Sequence, residues 1–173
     1  MGEGGKNIFE TGLEANAANF QPQTPLSFLD WAANVYAEKT AVVHGEGKFT
    51  YREFAGRCRR LASALNKRGI GDGDTVSVMA PNSPPMLEAH YGVPMSGAVL
   101  NAINVRLDSD TIRFILGHGE AKALIVDPEL APEAQEALDG LDANILVVDI
   151  EDPSFMPDDP NSISRIGSLT YEE

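Results

Sequence analysis

Residues 45–48, with the sequence GEGK, have the residue types of a phosphate-binding loop. In such a loop the lysine is followed by a serine or threonine that binds Mg²⁺, and a helix begins there. Here Phe49 follows Lys48, and the stretch separates two β-prone runs at 41–43 and 49–51. The pattern therefore predicts a β-hairpin turn rather than a phosphate site.

Gly69, Gly71 and Gly73 have the spacing of half a dinucleotide-binding fingerprint. That fingerprint must follow a strand and begin a helix, because the pyrophosphate binds at the helix N-terminus. In this chain the order is reversed, since a helical pattern precedes the glycines and a strand-like run at 75–80 follows them. We therefore expect these glycines to end a helix and form a turn.

The histidines and the single cysteine show no metal-binding or catalytic spacing. His44, His90 and His118 lie far apart in sequence, and His90 adjoins an apolar helical stripe, which favours a packed, hydrogen-bonded side chain over a ligand. Cys58 lies on an apolar helical face and is predicted to be a small core residue rather than a nucleophile. A single cysteine also excludes a disulfide within this chain.

Two helices are well marked in the first half of the chain. Thr24 can cap a helix that has Pro25 at its first position. Its apolar stripe is expected to comprise Phe28, Leu29, Ala32, Val35 and Tyr36. From about 52 to 68, apolar side chains at spacings of four, three and four share one face: Phe54, Cys58, Leu61 and Leu65. Gly69 and Ile70 suit a Schellman ending.

The remainder of the chain alternates between strands and helices. Strands are predicted near 75–80, 98–103, 123–127 and 144–149, with helix caps at Ser83 and Asp108. Uninterrupted apolar strands are typical of a parallel sheet that is covered on both faces. The predicted fold is therefore α/β, a parallel sheet flanked by helices, with a terminal β-hairpin. The acidic segment 151–161 holds three prolines and is predicted to be a loop.

The net charge of −13 argues against nucleic acid as a partner. From residue 120 onward there are 14 acidic residues and only two basic ones, which indicates a solvated surface or, as the alternative, an interdomain contact. Asp158-Asp159 lacks calcium-loop spacing and is expected at the surface. No apolar run is long enough for a membrane span, and no apolar signal segment follows Met1, so we predict a cytoplasmic protein.

Seven stretches carry further motifs: 24–32, 39–43, 49–54, 61–65, 69–76, 80–84 (APNSP) and 97–108 (GAVLNAINVRLD). Taken in order, they resemble the family of adenylate-forming enzymes, which includes acyl-CoA synthetases, aryl-CoA ligases and beetle luciferases. The last stretch, with 118–122 and the arm 12–23, resembles the branch that acts on short, medium or aryl acids. The resemblance spans about residues 8–173.

The resemblance implies a two-step ligase. A carboxylate attacks the α-phosphate of ATP to give an acyl-adenylate and pyrophosphate, and CoA then takes the acyl group as a thioester. A carboxylic acid, ATP, Mg²⁺ and CoA are thus implied for the parent enzyme. The family's Pro-Lys-Gly phosphate loop, its Thr-Gly-Asp motif and the lysine of its lid domain do not occur in this sequence, so no catalytic, cofactor-binding or metal-binding residue can be assigned.

We accordingly expect an amino-terminal portion of such an enzyme, with an arm at 1–23 and a partial AMP-binding domain at 24–173. This portion would end before the phosphate loop, lack the lid domain, be inactive by itself and self-associate. Arg106 and Arg113 are the basic residues near the expected sheet edge, where each could contact CoA phosphate in the parent or form a structural ion pair.

The alternative is a free-standing binding or signalling module of flavodoxin-like type. A receiver domain of that type needs an acidic pair after its first strand and a phosphoacceptor aspartate at the end of a central strand. Asp127 and Asp149 end predicted strands, but residues 80–82, which follow the first strand, are Ala-Pro-Asn.

Overall fold

The computed structural model describes residues 12, 16, 18–151 and 165–171. Within them the helices are α1 (Pro25–Val35), α2 (Tyr51–Lys67), α3 (Pro84–Met95), α4 (Ser109–His118) and α5 (Ala131–Asp139). The strands are β1 (Thr40–His44), β2 (Gly47–Thr50), β3 (Thr75–Met79), β4 (Val99–Ala102), β5 (Ala121–Val126), β6 (Leu146–Asp149) and β7 (Leu169–Thr170). A 3-10 turn, Pro128–Leu130, precedes α5. The predicted loop at 151–161 lies outside the described residues, apart from Glu151.

A parallel sheet in the order β4-β3-β5-β6-β7 forms the centre of the described chain. β3 pairs with β4 and β5, β5 pairs with β6, and all of these pairs are parallel, which confirms the predicted fold class. The sequence prediction missed β7, which also pairs in parallel with β6. A strand of two residues is too short to show a periodic pattern.

Helices cover both faces of this sheet. One core cluster joins α2 and α3 to the sheet through residues such as Leu65, Val93 and Val78. The other joins α4 and α5 to the opposite face, with Ile112 and Met79 among its buried members. Val78 and Met79 are successive residues of β3 that point to opposite faces, and both are fully buried. Burial on both faces explains the continuous apolar strand runs of the sequence.

The predicted helix caps at Thr24 and Asp108 are confirmed. The Thr24 side chain accepts a hydrogen bond from the Ser27 backbone N–H, and the Ser27 side chain completes a capping box. At α4, Asp108 Oδ1 accepts from the Thr111 backbone N–H at 2.9 Å. Each cap satisfies a backbone donor that has no partner inside its helix.

α1 and the β1–β2 hairpin form an outer layer against α2. The predicted stripe of α1 is partly wrong, because the helix buries Leu29 and Ala33, whereas Phe28 and Val35 remain 59% and 55% exposed. Positions four apart lie one above the other on a helix, so α1 makes only a narrow contact with α2. The other apolar side chains of α1 consequently face away from the described core.

The hairpin turns at Gly45, whose φ of +56° suits glycine. The prediction that 49–51 forms a strand is wrong for Tyr51, which is the first residue of α2. Thr50 and Glu53 form a capping box there, so the chain turns into the helix as soon as β2 ends.

The predicted Schellman ending of α2 is confirmed. Gly69 has a φ of +75°, and the Ile70 backbone N–H donates to the Leu65 carbonyl at 3.0 Å. Leu65 and Ile70 are both buried in the same core cluster, which is the apolar contact that accompanies this motif.

The predicted cap at Ser83 is only half right. Ser83 occupies the N-cap position of α3, but its side chain makes no capping hydrogen bond. Its Oγ is buried and has no hydrogen-bond partner among the described residues. The second residue of α3 is Pro85, which has no N–H, so the Met86 N–H at the third position is the remaining donor for a cap, and the Ser83 side chain does not bond to it.

Candidate functional site

The carboxyl ends of parallel strands meet at one edge of a sheet, and α/β proteins bind ligands there. β4 pairs with one edge of β3 and β5 with the other, so the order of strands changes direction at β3, and residues 80–83 and Asp127, which follow β3 and β5, lie at this edge of the sheet. Asp127 is 2% exposed, and its Oδ1 accepts from the Glu129 backbone N–H at 3.1 Å. This carboxylate therefore caps the 3-10 turn that follows it.

Asp149, at the end of β6, has a comparable structural role. Its two carboxylate oxygens accept from the backbone N–H groups of Ile166, at 3.3 Å, and Gly167, at 2.9 Å. Asp149 is 2% exposed and ties the segment before β7 to the sheet. Both aspartates that end strands, Asp127 and Asp149, are thus engaged by backbone groups.

The Arg113 side chain is fixed by contacts within this chain. Its guanidinium lies 2.6 Å from Asp110 Oδ1 and donates to the backbone carbonyls of Glu136 and Ala137 at the end of α5. These contacts favour the structural ion pair over contact with CoA phosphate. Arg106 is exposed in the loop after β4, at the carboxyl edge of the sheet. Within the described residues its side chain forms no ion pair.

The structure separates the histidines and buries the cysteine. His90 Nδ1 lies 2.8 Å from the Met86 carbonyl oxygen, but its side chain is exposed rather than packed. His118 stacks on Phe114, and His44 lies on β1. Cys58 is fully buried, and burial together with the Glu88 carboxylate raises the pKa of its thiol to about 12. A thiol of that pKa is a core group and no nucleophile.

A buried polar network connects α2, α3 and the residue after β7. Glu88 is 1% exposed, and its carboxylate lies 2.5 Å from Arg57 Nε. The Tyr171 hydroxyl donates to the other Glu88 oxygen at 2.9 Å. Burial, reinforced by the Glu88 charge, raises the pKa of Tyr171 well above its usual range. Because both carboxylate oxygens are engaged, this network holds elements together rather than offering a reactive group.

The sequence prediction missed this network. A glutamate in a helix is usually exposed, so Glu88 gave no signal by its type. The position of Glu88 in the sequence did carry a signal, because Glu88 and Gly92 are four residues apart and share the face of α3 that packs on α2.

An open apolar groove of about 560 Å³ lies between β1 and the start of α3, and we call it the β1 groove. Its walls are Pro25, Val42, Val43, His44, Asn82, Ser83, Pro84, Met86, Leu87, His90 and Tyr91. A second groove of about 370 Å³, along α1, shares Val42, Leu87 and Tyr91 with it, so the two grooves are neighbours. Apart from the imidazoles of His44 and His90 and the phenol of Tyr91, the walls of the β1 groove have no ionisable side chain.

Residues 29–166 match the family described as AMP-binding enzyme. The match covers far more than half of the chain. The chain belongs to the AMP-binding enzyme family. The resemblance found in the sequence is thereby confirmed, and the sheet order, the flanking helices and the separate hairpin are those of this family's N-terminal domain.

Two curated relatives of this chain are named as CoA ligases. It is 43% identical over 180 residues to an acetate–CoA ligase of Humulus lupulus, covering 100% of this chain and 31% of that protein. It is 42% identical to a peroxisomal acetate/butyrate–CoA ligase of Arabidopsis thaliana, covering 90% of this chain and 29% of that protein. The chain thus spans about 30% of the length of these relatives.

The solved structure of an anthranilate–CoA ligase in complex with anthranoyl-AMP shares the fold. Its TM-score is 0.74 at 22% identity, over 85% of this chain and 26% of that chain. At this identity the likeness concerns the fold alone.

Two features are absent from the described residues. These residues contain no group of three or more His, Cys, Asp or Glu side chains that could hold a metal ion. Among the described helices, none has the length and apolar character needed to cross a bilayer.

Proposed function

We propose that this chain is the amino-terminal portion of an ATP-dependent carboxylate–CoA ligase. The whole enzyme would form an acyl-adenylate and then an acyl-CoA thioester. The observation that carries the proposal is the 43% identity to an acetate–CoA ligase along the full length of this chain. The relatives named for acetate and butyrate support a short carboxylic acid as substrate, and an aryl or medium-chain acid is the alternative.

We place the chemistry outside this chain. Residues 1–23 would form an arm and residues 24–173 part of the AMP-binding domain, while later regions supply the phosphate loop and the lid domain. ATP, Mg²⁺ and CoA then bind mainly to the remainder of the enzyme. This division is supported by the hydrogen bonds that tie Asp127, Asp149 and Arg113 to backbone groups of this chain.

The location of the enzyme is part of the proposal. We place it in the cytoplasm, with the peroxisome as the alternative because several relatives are named peroxisomal. By itself, the portion described here would self-associate through its exposed apolar side chains.

The coding frame beyond residue 173 tests the proposal directly. It should continue without interruption and encode, within a few tens of residues, a Ser/Thr/Gly-rich loop that ends in Pro-Lys-Gly. The full-length product should then release pyrophosphate from ATP only when a suitable carboxylic acid is present. A full-length, folded product that gives no acid-dependent pyrophosphate with acetate, butyrate, medium-chain or aryl acids would refute the ligase assignment.

A further inference from the structure

We propose that a cavity beside α2 binds a small anion with two phosphate groups, such as pyrophosphate or a bisphosphate. This α2 cavity has a volume of about 260 Å³, and the charged and phenolic residues in its walls are Arg57, Arg60, Lys67, Arg68, Glu88 and Tyr171. The inference goes beyond the proposed function, because it depends on described side chains of this chain and on no later region of the enzyme.

The charges in the walls of the α2 cavity are unbalanced. Glu88 is the only carboxylate that the described residues contribute to these walls. Its two oxygens are engaged by Arg57 Nε at 2.5 Å and by the Tyr171 hydroxyl at 2.9 Å. The charges of Arg57 and Glu88 therefore compensate each other. The remaining cations of the walls form no ion pair within the described residues, and they are Arg60, Lys67 and Arg68.

Other arginines of the same helix do have acidic partners. Arg52 lies 3.0 Å from Glu38 Oε1, and Arg59 lies 2.6 Å from Asp30 Oδ1. The chain has 26 acidic and 13 basic residues, so acidic partners are in excess. Three cations that line one cavity without an acid are therefore unusual in this chain, and they indicate that an external anion provides the missing charge.

The helical spacing places these cations around one space. Arg60 and Lys67 are seven residues apart, so they share a face of α2 and lie about 10 Å apart along its axis. Ser63 and Ala64 between them are small and leave room for a ligand. Arg68 Nη1 donates to the Ala64 carbonyl at 3.2 Å, which holds the guanidinium beside the cavity. The helix dipole favours cations in the last turn, but Arg60 lies in the middle of the helix and gains nothing from it.

The donor set and the volume indicate the class of anion. Guanidinium groups bind phosphate oxygens through paired N–H donors, and an ammonium group adds a point charge. Two linked phosphate groups can contact cations that are two helical turns apart, whereas a single phosphate reaches fewer of them. Pockets for drug-sized ligands have about 300–1,000 Å³. The α2 cavity is smaller, so it suits a compact anion and not a nucleotide. The net charge of −13 disfavours a long polyanion such as nucleic acid.

Isothermal titration calorimetry of this chain with sodium pyrophosphate tests the proposal. The buffer is free of Mg²⁺ and of low ionic strength, and the chain is diluted to where it is monomeric. We expect one site with a dissociation constant on the order of 0.1 mM. Inorganic phosphate and ATP should each bind at least about tenfold more weakly. Added salt should weaken the binding of pyrophosphate, because it screens exposed charges.

Arg60→Gln combined with Lys67→Gln should weaken pyrophosphate binding at least about tenfold. The matched control combines Arg52→Gln with Arg59→Gln, which removes two charges from the same helix but outside the α2 cavity. This control should change the dissociation constant less than about twofold. Circular dichroism verifies that each variant is folded. If the first double variant does not fold, Lys67→Gln alone is used, and it should weaken binding at least about threefold.

Four outcomes would overturn the proposal. The first is no measurable binding of pyrophosphate. The second is equal weakening by the two double variants, which indicates general electrostatic attraction. The third is citrate binding as tightly as pyrophosphate, which indicates no preference for phosphate. The fourth is binding that requires Glu172→Gln and Glu173→Gln, which indicates that the chain's own acids compensate the cations. The measurement involves no carboxylic acid, CoA or turnover, so its failure and a failure of the ligase assignment are separate results.

Discussion

Arg57 Nε and Glu88 Oε1 lie 2.5 Å apart in the interface between α2 and α3, where the Glu88 side chain is 1% exposed. Tyr171 donates to the other oxygen of the same carboxylate, so the network also fixes the residue that follows β7. A buried charge is tolerated only when it is paired and hydrogen-bonded. This pair therefore determines how firmly the last strand is attached to the helical layer.

Glu88→Ala should lower the free energy of unfolding by about 3 kcal/mol, because it leaves the Arg57 charge without its carboxylate and Tyr171 without its acceptor. Urea denaturation measures this change. Glu38→Ala is the control, since its ion pair with Arg52 is exposed and should contribute less than about 0.5 kcal/mol. Equal effects of the two substitutions would show that the buried network contributes no more to the free energy of unfolding than an exposed ion pair does.

Gly92→Ala should destabilise the chain by about 1–3 kcal/mol. A Cβ at Gly92 would lie 2.7 Å from Leu61 Cδ2 and 2.9 Å from the Cys58 carbonyl oxygen, so α2 and α3 would have to separate. Gly56 is the matched control within a helix, because a Cβ there meets nothing within 4 Å. Gly56→Ala should stabilise the chain by about 0.5–1 kcal/mol through helix propensity. Thermal unfolding of the two variants should shift in opposite directions.

The fold was predictable wherever the residue types of a segment and its burial indicate the same structure. The apolar runs of β3 to β6 predicted a sheet that is covered on both faces. Helix ends were predicted from the side chains of Thr24 and Asp108 and from the backbone freedom of Gly69. The strand order could not be predicted, because it depends on contacts between residues distant in sequence. Ser83 shows a second limit, since its type predicts a capping hydrogen bond that its side chain does not form in the folded chain.

The candidate site was less predictable than the fold. Glu88 and Tyr171 lie 83 positions apart and are joined only by folding. Self-association was predicted from the sequence, but the groove along β1 was not located. Its position between β1 and α3 depends on tertiary packing, which no local pattern records.

Cys58 should make stability fall in alkaline solution. Burial raises the pKa of its thiol from 9.0 to about 12, so the folded state keeps the proton at a pH where the unfolded state loses it. The stabilisation is complete below pH 9 and is lost as the pH rises from 9 towards 12. Urea midpoints between these values should fall less steeply in Cys58→Ala. Tyr171 has a raised pKa as well and remains in both proteins, so the difference between them isolates the thiol.

The isolated chain should release no pyrophosphate from ATP with any carboxylic acid. Phosphoryl chemistry requires positive charge and metal ions held in place, and within the described residues Arg113 is committed to α5 and no metal-binding cluster occurs. Calorimetry should accordingly give an ATP dissociation constant weaker than about 1 mM, or roughly 4 kcal/mol. The intact Humulus lupulus relative serves as the positive control. Acid-dependent pyrophosphate release above the buffer background would contradict this expectation.

The isolated chain should also self-associate as its concentration rises. Phe28, Trp31, Val35 and Val43 are between 55% and 62% exposed, and they lie along α1 and β1. At about 25 cal/mol per Å², covering even 200 Å² of such surface contributes on the order of 5 kcal/mol. That is enough for association in the range of about 0.1–1 mM.

Light scattering across a concentration series measures this association, and Trp31 reports on its location because it is the only tryptophan of the chain. Its emission should shift to the blue as the mass increases, since the indole leaves water on association. Val43→Asp should weaken the association, whereas Val99→Asp, on the far sheet edge, should not. A strictly monomeric chain with concentration-independent Trp31 emission would show that these apolar side chains need no further cover, and that α1 and the hairpin are complete as they stand.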